Sequence, residues 1–343
     1  MFSYFFSIVG SSVKMYSTTT GEIVSTLSAS RSLKSDSSPP TNGEQRHNSD
    51  LITAAVLNPN NPLQLITGSL NGYIMVWDIL EASLLQIFDL QQPITHLCAH
   101  EKFKDTVFVG ASRAVGSNPA LPKPPEDWGV VLRVVLSQHP LKITVLGQTR
   151  RLSGLAISAS GTWVIATGGH KIYVAQASST KSKFVKYVSP ERLTCLACHP
   201  LDDHLVTGDE KGNIRLWYAL DERIVVKDVG LEKKAPTATL HWHAHAVSSL
   251  AFTSNGAYLL SGGEEAVLVI WQLQTGKKEF VPRLGSPIET IAVAKAMGGE
   301  DEFFLGLADG THVFVTSGDL KIARSFSRIK FSEHIAISRT FLL

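Results

Sequence analysis

The chain has 343 residues, 44% of them hydrophobic and 18% charged, with a formal net charge of +2. That composition belongs to a folded protein with a large core, and it excludes a surface built wholly for nucleic acid, so any polyanion contact must be a local patch. Three cysteines, an odd and sparse set, exclude a secreted disulfide framework and fit a reducing compartment.

In chain order, the opening MFSYFFSIVG is apolar. No positive charge precedes Lys14 and the run is far too short to span a bilayer, so it is read as a buried strand and not as a signal sequence. Residues 28–50 are Ser-rich, nearly devoid of large apolar side chains, and expected to be disordered. Next come ITAAVLNPNN (52–61) and ITGSLNGYIMVWD (66–78), an apolar strand closing on a small polar turn and then a strand, turn and strand ending on Trp77. Residues 112–128 are Pro-rich and cannot form a central strand. The same two-part unit returns as LSGLAISASG (152–161) with IATGGHKIYVAQ (165–176), and as LTCLACHPLD (193–202) with VTGDEKGNIRLWY (206–218). After a charged excursion over 225–240 come VSSLAFTSNG (247–256) with LSGGEEAVLVIWQ (260–272), and finally LGLADGTHVFVT (305–316). FSIVGSSVKMYS (6–17) is a weaker copy.

The strand-ending positions are Tyr16, Trp77, Val135, Ala175, Trp217, Trp271 and Val315. Where no insertion intervenes, their spacing approaches the roughly 40–45 residues of a four-stranded propeller blade. The pattern is similar to the WD repeat, with one true Trp-Asp pair at Trp77-Asp78. Seven copies predict an all-β, seven-bladed WD-repeat β-propeller occupying 1–343 as a single domain. The first blade starts at its second strand, so the apolar tail EHIAISRTFLL (333–343) is expected to complete it by pairing with residues 2–9.

Within this frame the tempting motifs acquire plain readings. Cys195-x-x-Cys198-His199 has the spacing of a c-type haem attachment, but it lies on an inner strand, where residues three apart point to opposite faces. The cysteines are therefore expected to be core. In HWHAHAV (241–247), the alternating His241, His243 and His245 span roughly 13 Å at strand rise, too far for one zinc ion. His243 instead matches the histidine that WD repeats place before the inner strand. The resemblance implies a buried network with Ser261, Glu265 and Trp271, in which Glu265 replaces the usual Asp.

No phosphate-binding glycine loop and no nucleophile–base arrangement stands out; no catalytic, cofactor or metal residue is assigned, and no membrane or small-molecule partner is expected. Basic clusters are the candidate RNA or partner contacts: Arg150 and Arg151 ahead of one blade, and Lys181, Lys183 and Lys186 on the outer strand of the next.

Longer strings are more specific. LNPNNPLQLITGSLNGYIMVWD (57–78), LTCLACHPLDDHLVTGDEKGNIRLW (193–217), LHWHAHAVSSLAF (240–252), YLLSGGEEAVLVIW (258–271) and KKEFVPRLGSPIETIAV (277–293) together resemble the WD repeat-containing protein 75 family, nucleolar WD-repeat subunits of the UTP-A subcomplex of the small-subunit processome. The resemblance runs from the start of the chain to about residue 330 and is weak across 100–150. It implies a non-enzymatic scaffold in the nucleus and nucleolus, acting in pre-rRNA processing and supporting RNA polymerase I transcription of ribosomal DNA. Its implied partners are other UTP-A subunits and processome proteins, and pre-rRNA of the 5′ external spacer or small nucleolar RNA. Family members are longer and begin with the strand absent here, so the chain reads as a truncated form. The rival readings are a WD-repeat adaptor outside ribosome biogenesis and a propeller enzyme, which would need convergent polar groups at the central channel.

Overall fold

Short apolar runs broken by Gly, Asn and Asp turns produce strands and, among the described residues, no helix. The computed structural model describes residues 4–28, 50–112, 128–138, 140–179, 184–218, 220, 232–233, 235–295, 299–327 and 340–342. The strands form seven separate sheets. Blade 1 holds β1 (Tyr4–Val9), β2 (Ser12–Ser17) and β3 (Ile23–Ser28). Blade 2 is β4 (Ile52–Asn58), β5 (Asn61–Ser69), β6 (Tyr73–Asp78) and β7 (Ser83–Asp89). Blade 3 is β8 (Ile94–Cys98), β9 (Thr106–Ser112), β10 (Trp128–Val135) and β11 (Lys142–Arg150). Blade 4 is β12 (Gly154–Ile157), β13 (Trp163–Gly168), β14 (Lys171–Gln176) and β15 (Val185–Val188). Blade 5 is β16 (Leu193–Cys198), β17 (Leu205–Asp209) and β18 (Asn213–Trp217), with β19 (Glu232–Lys233) branching off to blade 4 before β20 (Thr237–His241) completes the sheet. Blade 6 is β21 (Val247–Phe252), β22 (Tyr258–Gly263), β23 (Leu268–Gln272) and β24 (Lys278–Val281). Blade 7 is β25 (Ile288–Lys295), β26 (Asp301–Leu307), β27 (His312–Thr316) and β28 (Ile322–Phe326).

The inner strands of blades 2 to 7 meet in turn, and the circle closes through β29 (Thr340–Leu342), which lies against β25 and pairs antiparallel with β1 as Phe5↔Leu342, Phe6↔Phe341 and Ser7↔Thr340, while β1 meets β4 of blade 2. The first blade is thus completed by both chain ends, as expected, over these three residues. The rest of the 333–343 segment lies outside the described residues, as do the insertions at 29–49 and 113–127. The charged excursion is shorter than 225–240, because Thr237–His241 is the outer strand of blade 5.

Alternation along each strand decides which interface a side chain fills. Phe6 joins the cluster between blades 1 and 2 with Met75 and Trp77, whereas Phe5 points the other way and packs with Tyr16, Phe304 and Phe314 between blades 7 and 1. Each of the seven interfaces has one such cluster. No sheet can bury both faces without its two neighbours, which is why the ring closes. One register differs from the sequence reading: in blade 3 the position of Trp77 belongs to Val134, paired with Val107 and fully buried, and not to Val135. The residue ending the periodic strand in sequence is one beyond the residue that packs.

Turns set the neighbours' spacing. Gly212 has φ +81°, and a Cβ there would lie 2.2 Å from the carbonyl oxygen of His243. Only glycine satisfies both the left-handed conformation and the close approach of the next blade.

Candidate functional site

The fold first brings together a hydrogen-bond network at the start of blade 6. His243 lies in the link before β21, Ser261 on β22, Glu265 in the following turn and Trp271 on β23. His243 Nδ1 is 3.0 Å from Glu265 Oε2, His243 Nε2 is 2.8 Å from Ser261 Oγ, and Trp271 Nε1 donates to Ser261 Oγ at 2.9 Å. The carboxylate at Nδ1 calls for a proton there, and with the imidazole neutral Nε2 accepts the serine proton. Burial pushes the His243 pKa down, opposing the pull of Glu265. For Glu265, burial pushes upward, but the backbone bond from His245, together with the bonds from its own amide and His243, wins and holds the carboxyl below its usual range. Its Oε1 also accepts the amides of Ala244 and His245, both at 2.8 Å, so the longer Glu side chain ties down the whole link. The arrangement positions a blade; it presents no open ligand position.

Sequence reasoning missed two further sets of contacts, the first of them indole–hydroxyl pairs like that of blade 6. Trp77 donates to Thr67 Oγ1 at 2.9 Å and Trp217 to Thr207 Oγ1 at 2.8 Å, the same indole–hydroxyl pairing in blades 2 and 5. The signal is visible: a Thr or Ser before Gly, ten residues ahead of Trp, in all three. The second is a hydroxyl at the second position of the inner strand: Thr53, Thr95, Ser153, Thr194 and Ser248. The sheet register slips at this residue in blades 2, 3, 5 and 6, leaving its side chain free of the local ladder. Thr53 Oγ1 then donates to the Ile94 carbonyl of the next blade at 2.5 Å, Thr194 does the same to Val247 at 2.5 Å, and Ser248 reaches Ile288. These are latches between blades.

The cysteines separate as strand geometry requires. Cys195 is buried in the interface of blades 5 and 6, while Cys198 packs on the cluster between blades 4 and 5. Burial raises both thiols to about 12. Cys98 belongs to the interface of blades 3 and 4, and its thiol is raised further still. His199 stacks on His204 at 4.2 Å and forms, with Asp202, a group whose ligand atoms lie within 4.8 Å of one another. Yet His199 Nε2 faces the Gly256 carbonyl at 3.1 Å, and its Nδ1 accepts the Asp202 amide at 2.9 Å. Both ring nitrogens are committed, so this histidine staples a turn to blade 6 instead of holding a metal. Nor do the histidines of HWHAHAV converge, since His243 is taken up by Glu265 and Ser261 and the exposed His245 sits 3.9 Å from Glu264.

The basic candidates are not brought into one patch. Arg150 and Arg151, both exposed, end β11 and begin the link into β12. Lys186 is half-buried in the middle of β15, whose strand is hydrogen-bonded to β14 on one side and to the parallel β19 on the other. That strand is therefore no open sheet edge, because the excursion from blade 5 covers it. Lys181 and Lys183 lie outside the described residues.

A closed ring of seven sheets, six of four strands and one extended to five by β19, with indole–hydroxyl pairs in blades 2, 5 and 6, defines a WD-repeat β-propeller, and residues 42–78 match the family model of the WD domain, G-beta repeat. Residues 143–299 match the family model described as the WD repeat-containing protein 75 first beta-propeller. The human protein of that name is 32% identical over 312 residues, covering 85% of this chain and 33% of its own length. Two other similar proteins are U3 small nucleolar RNA-associated protein 17 of Schizosaccharomyces pombe (44% over 96 residues; 28% of this chain, 11% of that one) and pre-rRNA-processing protein pro-1 of Caenorhabditis elegans (28% over 148 residues; 42% and 28%). The chain belongs to the WD repeat-containing protein 75 family and corresponds to its first propeller. It spans about a third of the length of the full relatives it matches.

Proposed function

We propose that this propeller is a non-enzymatic scaffold of the small-subunit processome, acting in ribosome biogenesis at the level of pre-rRNA processing and residing in the nucleolus. The observation that carries the reading is the 32% identity with human WD repeat-containing protein 75 along 85% of this chain, joined by similarity to proteins named for pre-rRNA processing and for U3 small nucleolar RNA. The physics is rigid display. Seven interlocked blades hold many loops in fixed relation, so partners meet a largely preformed surface and little ordering entropy is lost on binding. Other UTP-A subunits are the proposed protein partners, and 5′ external spacer pre-rRNA or small nucleolar RNA the proposed nucleic acid. Arg150, Arg151, Lys181, Lys183 and Lys186 are the residues first assigned to those contacts. Support of RNA polymerase I transcription of ribosomal DNA belongs to the same reading.

Purification of the tagged chain from cells, with mass spectrometry and RNA sequencing, tests it. Enrichment of UTP-A subunits and 5′ spacer pre-rRNA is the expected result. A reproducible partner set unrelated to the processome overturns it in favour of a general WD-repeat adaptor. For the transcriptional role, depletion should lower nascent ribosomal RNA labelling before mature subunits decline.

A further inference from the structure

In blades 2, 3, 5 and 7 the inner strand is entered through a link residue whose carbonyl accepts an amide from the turn between the second and third strands. Leu51 receives Leu70, Pro93 receives Ser112, Arg192 receives Glu210 and Pro287 receives Ala308. Arg151 holds the same place in blade 4, one residue before the first apolar residue of the strand, with its carbonyl pressed against Gly168. Of these equivalent positions only two carry charge, and they belong to adjacent blades. Both arginines are exposed, and neither has an ion-pair partner among the described residues. Arg150 adjoins the first, and the turn bearing His170 and Lys171 lies between the two, its Gly169 carbonyl accepting the Leu193 amide at 2.8 Å. Lys211, the next cation along, is neutralised by Glu191 at 2.8 Å.

We infer that this sector of the rim, centred on Arg151 and Arg192, binds the sugar–phosphate backbone of an RNA strand. The inference rests on the processome reading for the identity of the nucleic acid, but its location comes from the geometry. Guanidinium forks suit phosphate oxygens, and backbone contact needs charge with little apolar burial. A protein partner would need apolar anchors to fill pockets. Ser153, Thr194 and Glu191 are close to the two arginines in sequence, and the Glu210 amide bonds the Arg192 carbonyl. The adjoining Leu152 and Leu193 pack into blade interfaces, so the exposed large apolar side chains nearby are limited to Val188 and to Trp128, which pairs with Arg150.

The test is the double variant Arg151→Gln with Arg192→Gln in the full 343-residue chain, titrated against a fluorescein-labelled oligouridylate of about 20 nucleotides at several salt concentrations. Both changed side chains are solvent-facing and the link carbonyls are untouched, so circular dichroism and Tm should match the wild type. Two lost phosphate contacts should flatten the slope of log K against log salt by about 1.4 and weaken binding roughly tenfold near 0.15 M salt. The control, Lys102→Gln with Lys321→Gln, removes the same charge from turns on the opposite face and should leave the slope unchanged. An unchanged slope in the arginine variant, or an equal loss in the control, overturns the assignment. So does competition by polyglutamate as strong as by RNA, which would mark the sector as a site for an acidic protein segment. Co-purification with processome subunits is read separately, so a variant that keeps them with an unaltered salt slope removes this sector without touching the family-level function.

Discussion

Thr194 donates its hydroxyl to the backbone carbonyl of Val247 at 2.5 Å, tying the inner strand of blade 5 to that of blade 6 through a side chain instead of a sheet ladder. Thr53 makes the same tie to Ile94 between blades 2 and 3. Replacing either threonine with the isosteric Val keeps the shape and leaves a carbonyl short of a donor. We expect each substitution to cost about 1–2 kcal/mol in urea unfolding, with Thr→Ser nearly neutral. Thr194→Val should be the milder, because the Cys195 thiol also reaches the Val247 oxygen at 3.4 Å. Equal stability of wild type and both Val variants would show that the latches do not hold blades together.

The three thiols give a chemical reading of the fold. Burial raises Cys195 and Cys198 to about 12 and Cys98 further, so at pH 8 the thiolate is a minute fraction of each. Native protein should therefore resist iodoacetamide for hours and take up three labels only once denatured. Rapid native labelling of Cys195 or Cys198 would contradict the packed-core assignment.

Acid should weaken the ring. His312 sits among Phe5 and Phe304 at the seam of blades 7 and 1, and burial lowers its pKa from 6.5 to about 4. The unfolded chain then binds a proton that the folded chain refuses, so stability is full above pH 6.5 and falls as pH drops toward 4. One such group accounts for up to about 3 kcal/mol across that window. The lowered pKa values of His243 and Glu265 act in the same direction, the carboxylate's share being lost only below its unfolded value near 4.5. Tm measured from pH 7.5 to 4.5 should decline, and His312→Gln should make the decline shallower. A Tm independent of pH over that range would refute the account.

The seam itself depends on Phe5, whose ring stacks on Tyr16 at 5.0 Å and meets Phe304 at 5.3 Å and Phe314 at 5.8 Å. Phe5→Ala should cost about 3–5 kcal/mol. Hydrogen exchange should then speed up first in β1 and β27. Uniform acceleration over all seven blades would mean that the ring has no weakest seam.

How much of this could be read beforehand depends on the kind of contact. Repeats of strand, polar turn and strand carried the blade count, and the position of His243 before Val247 carried the network with Ser261, Glu265 and Trp271, because both are local or fixed by blade spacing. Blade 3 was read one residue out, at Val135 instead of Val134, because it has no Trp to mark register as blades 2, 5 and 6 do, and the adjacent Val134 and Val135 look alike to a hydrophobicity pattern. The role of β19 was invisible for a different reason: Glu232–Lys233 has no apolar alternation, and its parallel pairing with β15 is set by where the excursion from blade 5 happens to run. The link arginines escaped as a pair because Arg151 and Arg192 are far apart in sequence and become equivalent only once the blades are superposed.

The pairing of Phe5 with Leu342 has a consequence for how the molecule comes into being. During translation the first sheet leaves the exit tunnel lacking its inner member, with the apolar faces of Phe5 and Phe6 waiting for residues made much later. Six blades can stack in order behind it, but the circle locks only after synthesis has delivered Thr340–Leu342. Until then the nascent chain is an open arc with a sticky end, the state in which a chaperone has most to protect.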